Sequence, residues 1–239
     1  MTVDPLVLMA EVDRATDRLL RTATGLDGDA AIAAPSLLPG WTRGHVLAHL
    51  ARNADGLTNL LTWARTGVVT PQYASGTQRA DDIAAGAPRG HAAQVADVRE
   101  AAERFAAAAA AMPPAAWATV LDIPRAPQPA ATVVWRRLRE VEVHHVDLAA
   151  GYTPADWPVA FGHRLLHEVV AGFAKRDDAP PMVLRPADSG HDLTLGDPAG
   201  APVVRGTVCA LAAWLTGRSA GADLTVAPPG PLPTPPAWI

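Results

Sequence analysis

The chain has 239 residues, 49% of them hydrophobic and 5% aromatic, with a formal net charge of -4. Such a charge excludes the basic surface with which proteins neutralise nucleic-acid phosphates, and no run approaches the roughly 20 apolar residues of a membrane span. The lone cysteine, Cys209, excludes an internal disulfide, so the expectation is a cytoplasmic protein whose partners are small molecules.

Leu6, Met9, Ala10, Val12, Leu19 and Leu20 recur at roughly helical spacing until Asp27-Gly28 breaks the pattern, which predicts a first helix over about 4–25. Asp4, Glu11, Asp13 and Asp17 interleave with that stripe, where a secretory signal would need a basic start and an unbroken apolar run. Thr42 is placed to cap a second helix that carries His45, Val46, Leu47, His49, Leu50, Leu57, Leu60 and Leu61 and stops near Gly67. The Gly-, Pro-, Thr- and Gln-rich stretch 70–89 reads as a long connection of the kind that lies over active sites. A third helix is expected over 91–111, halted by Pro113-Pro114, and a fourth from about Thr132 to Ala150 with Gly151 as its stop. Four long helices imply an antiparallel bundle, and the abundance of alanine implies close packing.

Tyr152 to Pro158, with two prolines, reads as a hinge. Beyond it come a helix over Phe161 to Phe173, the short strand-like runs PMVLRP, HDLTLGD, APVVRG and DLTVAP, and one more helix over Thr207 to Leu215. The fold class is therefore α+β: an N-terminal four-helix bundle over 1–154 and a smaller α/β domain over 155–239. The last twelve residues hold six prolines and must form an extended arm.

Glu140 and His144 stand four apart on the fourth predicted helix, hence on one face, and His49 points inward from the second. Two imidazoles and a carboxylate are the ligand set of a catalytic metal site with a vacant position. Glu142 falls almost opposite Glu140 and His145 on a flanking face, whereas Asp147 is spaced to accept the second ring N–H of His144. Spacing alone leaves alternatives open, because His45/His49 and His163/His167 are also four apart and an isolated E-x-x-x-H is commonly a surface pair. Arg136 and Arg137, about a turn before Glu140, read as solvated surface arginines, and Cys209 as a small core residue.

In W-T-R-G-H-V-L-A-H-L-A and R-E-V-E-V-H-H-V-D-L the chain resembles the mycothiol-dependent maleylpyruvate isomerases of the DinB-like superfamily, over almost its full length. The resemblance implies a DinB-like bundle joined to a C-terminal α/β domain. It also implies a divalent metal, usually zinc, on His49, Glu140 and His144, and an important arginine at Arg218. Mycothiol would then be the thiol cofactor, with Arg52 and Asn53, one turn beyond His49, as candidates to touch its sugar hydroxyls. The implied reaction converts maleylpyruvate to fumarylpyruvate by reversible thiolate addition. Two other readings stay open here: a mycothiol S-transferase acting on another electrophile, and a non-catalytic module that binds a metal or ligand. The expected partners are the small thiol and an anionic substrate, with no nucleic acid and no membrane, and no feature demands an assembly larger than a monomer.

Overall fold

In the computed structural model, which describes residues 4–123 and 126–238, helix α1 (Pro5–Thr24) begins where Asp4 accepts a hydrogen bond from the Leu6 amide at 2.9 Å. Pro5 occupies the first turn, where a missing N–H costs nothing. The chain divides into two compact units, Met1–Tyr152 and Thr153–Ile239. No helix among the described residues is long and apolar enough to cross a membrane.

In the first unit, four long helices form the bundle: α1, α3 (Arg43–Thr66), α5 (His91–Ala110) and α6 (Thr132–Asp147). Helix α3 packs on α5 and α6, and α1 packs on the other side of the same two. Their interior is lined by Leu8, Val12 and Leu19 of α1, Leu50, Leu57 and Leu61 of α3, Val98 and Phe105 of α5, and Val134, Leu138 and Val141 of α6. The start of α3 is fixed by a capping box in which Thr42 and His45 satisfy each other's backbone amides, and its end by Gly67 at φ 74°.

Two short helices escape the sequence reading. Helix α2 (Gly28–Ala33) precedes α3, and α4 (Gln78–Gly86) lies within the stretch expected to be a plain connection. Helix α4 docks because α3 presents little bulk. A Cβ on Gly44 would stand 2.3 Å from the Ala87 carbonyl oxygen, and one on Gly86 would stand 2.9 Å from the Ala48 Cβ. Buried Gln94 of α5 clamps the junction by donating from Nε2 to the carbonyls of Gly86 and Ala87 at 2.9 and 3.2 Å. A short antiparallel pair, β1 (Val120–Leu121) with β2 (Gln128–Pro129), leads into α6.

The second unit holds a four-stranded sheet in the order β4 (Leu193–Leu195), β3 (Met182–Pro186), β5 (Val203–Gly206), β6 (Thr225–Ala227). Strands β3 and β5 run parallel, with Val183 opposite Val203, and the outer strands are antiparallel to them. Helices α7 (Val159–Phe173) and α8 (Val208–Leu215) pack on each other and on the sheet. Gly162 lets them close: a Cβ there would lie 2.6 Å from Cys209 Sγ. The proline-rich arm is extended and lies back along this unit, where the Ala237 carbonyl accepts from Arg176 at 2.7 Å.

Candidate metal centre

Helix α3 carries His49, and one turn of α6 carries Glu140 and His144. Nε2 of His49 lies 2.9 Å from Oε2 of Glu140, and Nε2 of His144 lies 3.4 Å from the same oxygen. One ligand atom from each residue falls within 4.8 Å of the other two, and among the described residues no other His, Cys, Asp or Glu cluster does this. The two imidazoles meet edge to face, with ring centroids 4.6 Å apart. Two nitrogens aimed at one carboxylate oxygen are the donor set of a divalent-cation site with three protein ligands, so the residues fit such an ion.

Two arginines hold the helices in register on either side of this trio. Arg43, at the start of α3, donates to the Leu148 and Ala149 carbonyls at 2.7 Å each, satisfying the end of α6. Arg137 of α6 donates to the Leu50 carbonyl at 2.8 Å and to Asn53 Oδ1 at 3.1 Å. This corrects the expectation of a solvated Arg137. The side chain is 0% exposed, and burial pulls its pKa down to about 10 against the opposing pull of Glu140. Arg136 is not freely solvated either, since it donates to Gln72 Oε1 at 2.7 Å. Sequence periodicity placed both arginines near the Glu140 face but carried no sign that the opposite helix offers a carbonyl and an amide there.

Each member of the trio is electrostatically distinct. Burial and the charge of His144 push His49 down to about 4, against the pull of Glu140. Burial would raise Glu140, but hydrogen bonds from His144 and His49 hold it well below the usual carboxylate range. Burial would lower His144, yet its bonds to Asp147 and Glu140 raise it. Asp147, 1% exposed, stands 2.8 Å from Nδ1 of His144, which leaves Nε2 of that ring facing Glu140.

The remaining histidines and acids near the trio have other duties. His45 bonds Thr42 at the helix start, with Trp41 stacked on its ring. His145 stacks on Tyr152 at 3.7 Å and meets Thr22 Oγ1 at 2.7 Å. Glu142 is buried on the opposite flank, where it accepts from Arg18 and Tyr152 at 2.5 Å each. His163 and His167 belong to α7, in the other unit. Tyr73 and Arg79, from the loop before α4 and from its first turn, also reach this region and were not singled out by the sequence. Arg79 Nη2 is 3.3 Å from His49 Nδ1. The Tyr73 phenol, pushed up by burial against the opposing charge of Arg79, lies within electrostatic reach of Arg79 and Glu140.

Residues 12–149 match the family model described as the mycothiol maleylpyruvate isomerase N-terminal domain, and residues 156–237 match that of the MDMPI C-terminal domain. This chain belongs to the mycothiol maleylpyruvate isomerase family. Two solved structures resemble it: the mycothiol-dependent maleylpyruvate isomerase, at 29% identity and TM-score 0.92, and a histidine-to-alanine mutant of that enzyme, at 28% and 0.91. Each comparison covers 99% of this chain and 98% of the other. No curated protein matches the chain.

In this family member, Arg52 ion-pairs with Asp97 and, at 3.3 Å, with Asp55, leaving its side chain 24% exposed. Asn53 is buried and accepts from Arg137. Arg218 follows α8 in the C-terminal unit, donating to the Thr216 carbonyl at 2.7 Å with its guanidinium 5.6 Å from the Trp238 ring. It lines a cavity of about 360 Å³ with Ser219, Asp223 and Cys209. Cys209 is buried and points to the Trp157 carbonyl, 3.6 Å away.

Proposed function

We propose that this chain is a metal- and mycothiol-dependent isomerase that converts maleylpyruvate to fumarylpyruvate by reversible addition of the thiol to the substrate's conjugated double bond. The observation that carries the reading is the convergence of His49, Glu140 and His144 within 4.8 Å, in a chain whose two parts match this family along almost all their length. The solved structures that it resembles, both of a mycothiol-dependent maleylpyruvate isomerase, support the same reading.

On this reading His49, Glu140 and His144 hold the ion and Asp147 fixes the ring of His144 so that Nε2 faces it. A divalent cation bound there, zinc as the family resemblance implies, would make a bound thiol a thiolate at neutral pH. Cys209 supplies no nucleophile, because it is buried and its thiol is directed at the Trp157 carbonyl. Arg218 is assigned to a substrate carboxylate or to the charge developing on the conjugated carbonyl, as the family resemblance implies. Arg52, partly exposed, is assigned to the sugar hydroxyls of mycothiol, whereas Asn53, the other residue expected there, is buried and accepts from Arg137. The protein works in the cytoplasm, with residues 1–154 as the metal-binding domain and 155–239 as its α/β companion.

The test is metal analysis of wild type and His49→Ala, paired with a maleylpyruvate assay run with and without mycothiol. Wild type should hold metal and isomerise the substrate only with the thiol, returning it unchanged, and His49→Ala should do neither. Stoichiometric consumption of the thiol would make the protein an S-transferase instead.

A further inference from the structure

The two histidines of the trio are prepared differently for a cation. His144 directs Nδ1 at the carboxylate of Asp147, which accepts a hydrogen, so its Nε2 is the nitrogen left to coordinate. The Nδ1 atom of His49 instead faces Arg79 Nη2 at 3.3 Å. A guanidinium has only donors, so His49 Nδ1 accepts and the ring hydrogen sits on Nε2, pointing at Glu140. Coordination through Nε2 moves that hydrogen to Nδ1, where two donors would then oppose each other. The Arg79–His49 bond and a cation on His49 Nε2 are therefore mutually exclusive.

Arg79 also differs from several other arginines of this unit in what it pairs with. Arg18, Arg52, Arg89, Arg104 and Arg139 each lie within ion-pair distance of a carboxylate. Among the described residues none stands within that distance of Arg79, whose side chain is half-buried beside the trio and the Tyr73 hydroxyl. The segment that delivers it is seated firmly: a Cβ on Gly56 of α3 would lie 2.9 Å from the Gln72 carbonyl oxygen and 3.3 Å from Tyr73 Cε1. A cationic fork next to a three-ligand metal site, without an anion of its own, is a binding group for one.

We propose that Arg79 is a carboxylate-binding residue of this site, resting on His49 until a cation displaces it and then taking one carboxylate of an anionic substrate. The proposal rests on the metal-site reading above and deepens it by naming the group that would select anionic substrates.

Calorimetric titration of the zinc-loaded full chain with maleate, a cis-dicarboxylate, tests this, alongside zinc affinity measured by chelator competition. Zinc-loaded wild type should bind maleate, Arg79→Gln should bind it at least about tenfold more weakly, and Arg79→Lys should fall between. Zinc affinity of Arg79→Gln should equal or exceed that of wild type, because the amide oxygen can accept from Nδ1–H. Failure of zinc-loaded wild type to bind maleate, equal maleate binding by wild type and Arg79→Gln, or loss of zinc from the variant would each overturn the proposal. Maleate binding that depends on Arg79 in a protein with no maleylpyruvate turnover would uphold this inference and sink the proposed reaction.

Discussion

Oδ2 of Asp147 lies 2.8 Å from Nδ1 of His144, one turn further along the same helix, so the carboxylate sets which nitrogen of the imidazole faces Glu140. Asp147→Asn keeps the shape but cannot draw the ring hydrogen as strongly. We expect zinc affinity to fall by about 10–100-fold, read by competition with a chromophoric chelator, while the fold is kept.

Glu140→Gln and His144→Ala should each lose metal and activity together. The bundle should remain folded by circular dichroism, because its interior is built from apolar residues on all four long helices and owes nothing to the ion. Unfolding of wild type on metal removal would show the ion to be structural.

Cys209→Ser should leave mycothiol-dependent turnover unchanged, since the thiol donates to the Trp157 carbonyl and a hydroxyl can do the same. The cost in stability should stay within about 1–2 kcal/mol, measured by denaturant unfolding. Lost turnover in a folded variant would make Cys209 part of the chemistry.

Gly44→Ala should destabilise the bundle by about 1–3 kcal/mol or displace α4, because the new methyl meets a backbone carbonyl at 2.3 Å rather than a flexible side chain. Unchanged urea unfolding would show that α4 docks less tightly than its geometry demands.

Tyr152 donates to Glu142 at 2.5 Å, and burial, then that carboxylate, push the phenol well above its ordinary value of 10.0. The folded chain thus holds this proton more tightly than the unfolded chain. Its contribution to stability is full below about pH 10 and is lost as pH rises above it. Tyr152→Phe should flatten that alkaline loss and cost about 1–3 kcal/mol at neutral pH, both read from unfolding curves across pH.

The long elements were legible because their signals are periodic: the first helix, the Thr42 cap and the Gly67 stop appear where the sequence puts them, although of the expected stripe only Val12 and Leu19 are buried, Leu6 is exposed, and Leu8 takes its place in the core. The trio was legible, since i, i+4 spacing joins Glu140 to His144 and the family resemblance adds His49, which the packing of α3 on α6 brings to 2.9 Å from Glu140. Helices α2 and α4, of six and nine residues, are too short to show a period, and α4 forms where Gly44 and Gly86 let backbones approach. Tyr73 and Arg79 went unnoticed for the same reason, as their role comes from where that segment docks. Arg137 misled because a charge on a helix face reads as solvated unless its buried acceptors, here Leu50 and Asn53, are known.

The most direct measurement is anomalous scattering at the zinc edge from crystals of the zinc-loaded protein. We expect one peak bonded to Nε2 of His49, Nε2 of His144 and the Glu140 carboxylate at roughly 2.0–2.2 Å, with Asp147 still on Nδ1 of His144. A peak held by other residues, or none between α3 and α6, would contradict the metal centre on which the proposed chemistry stands.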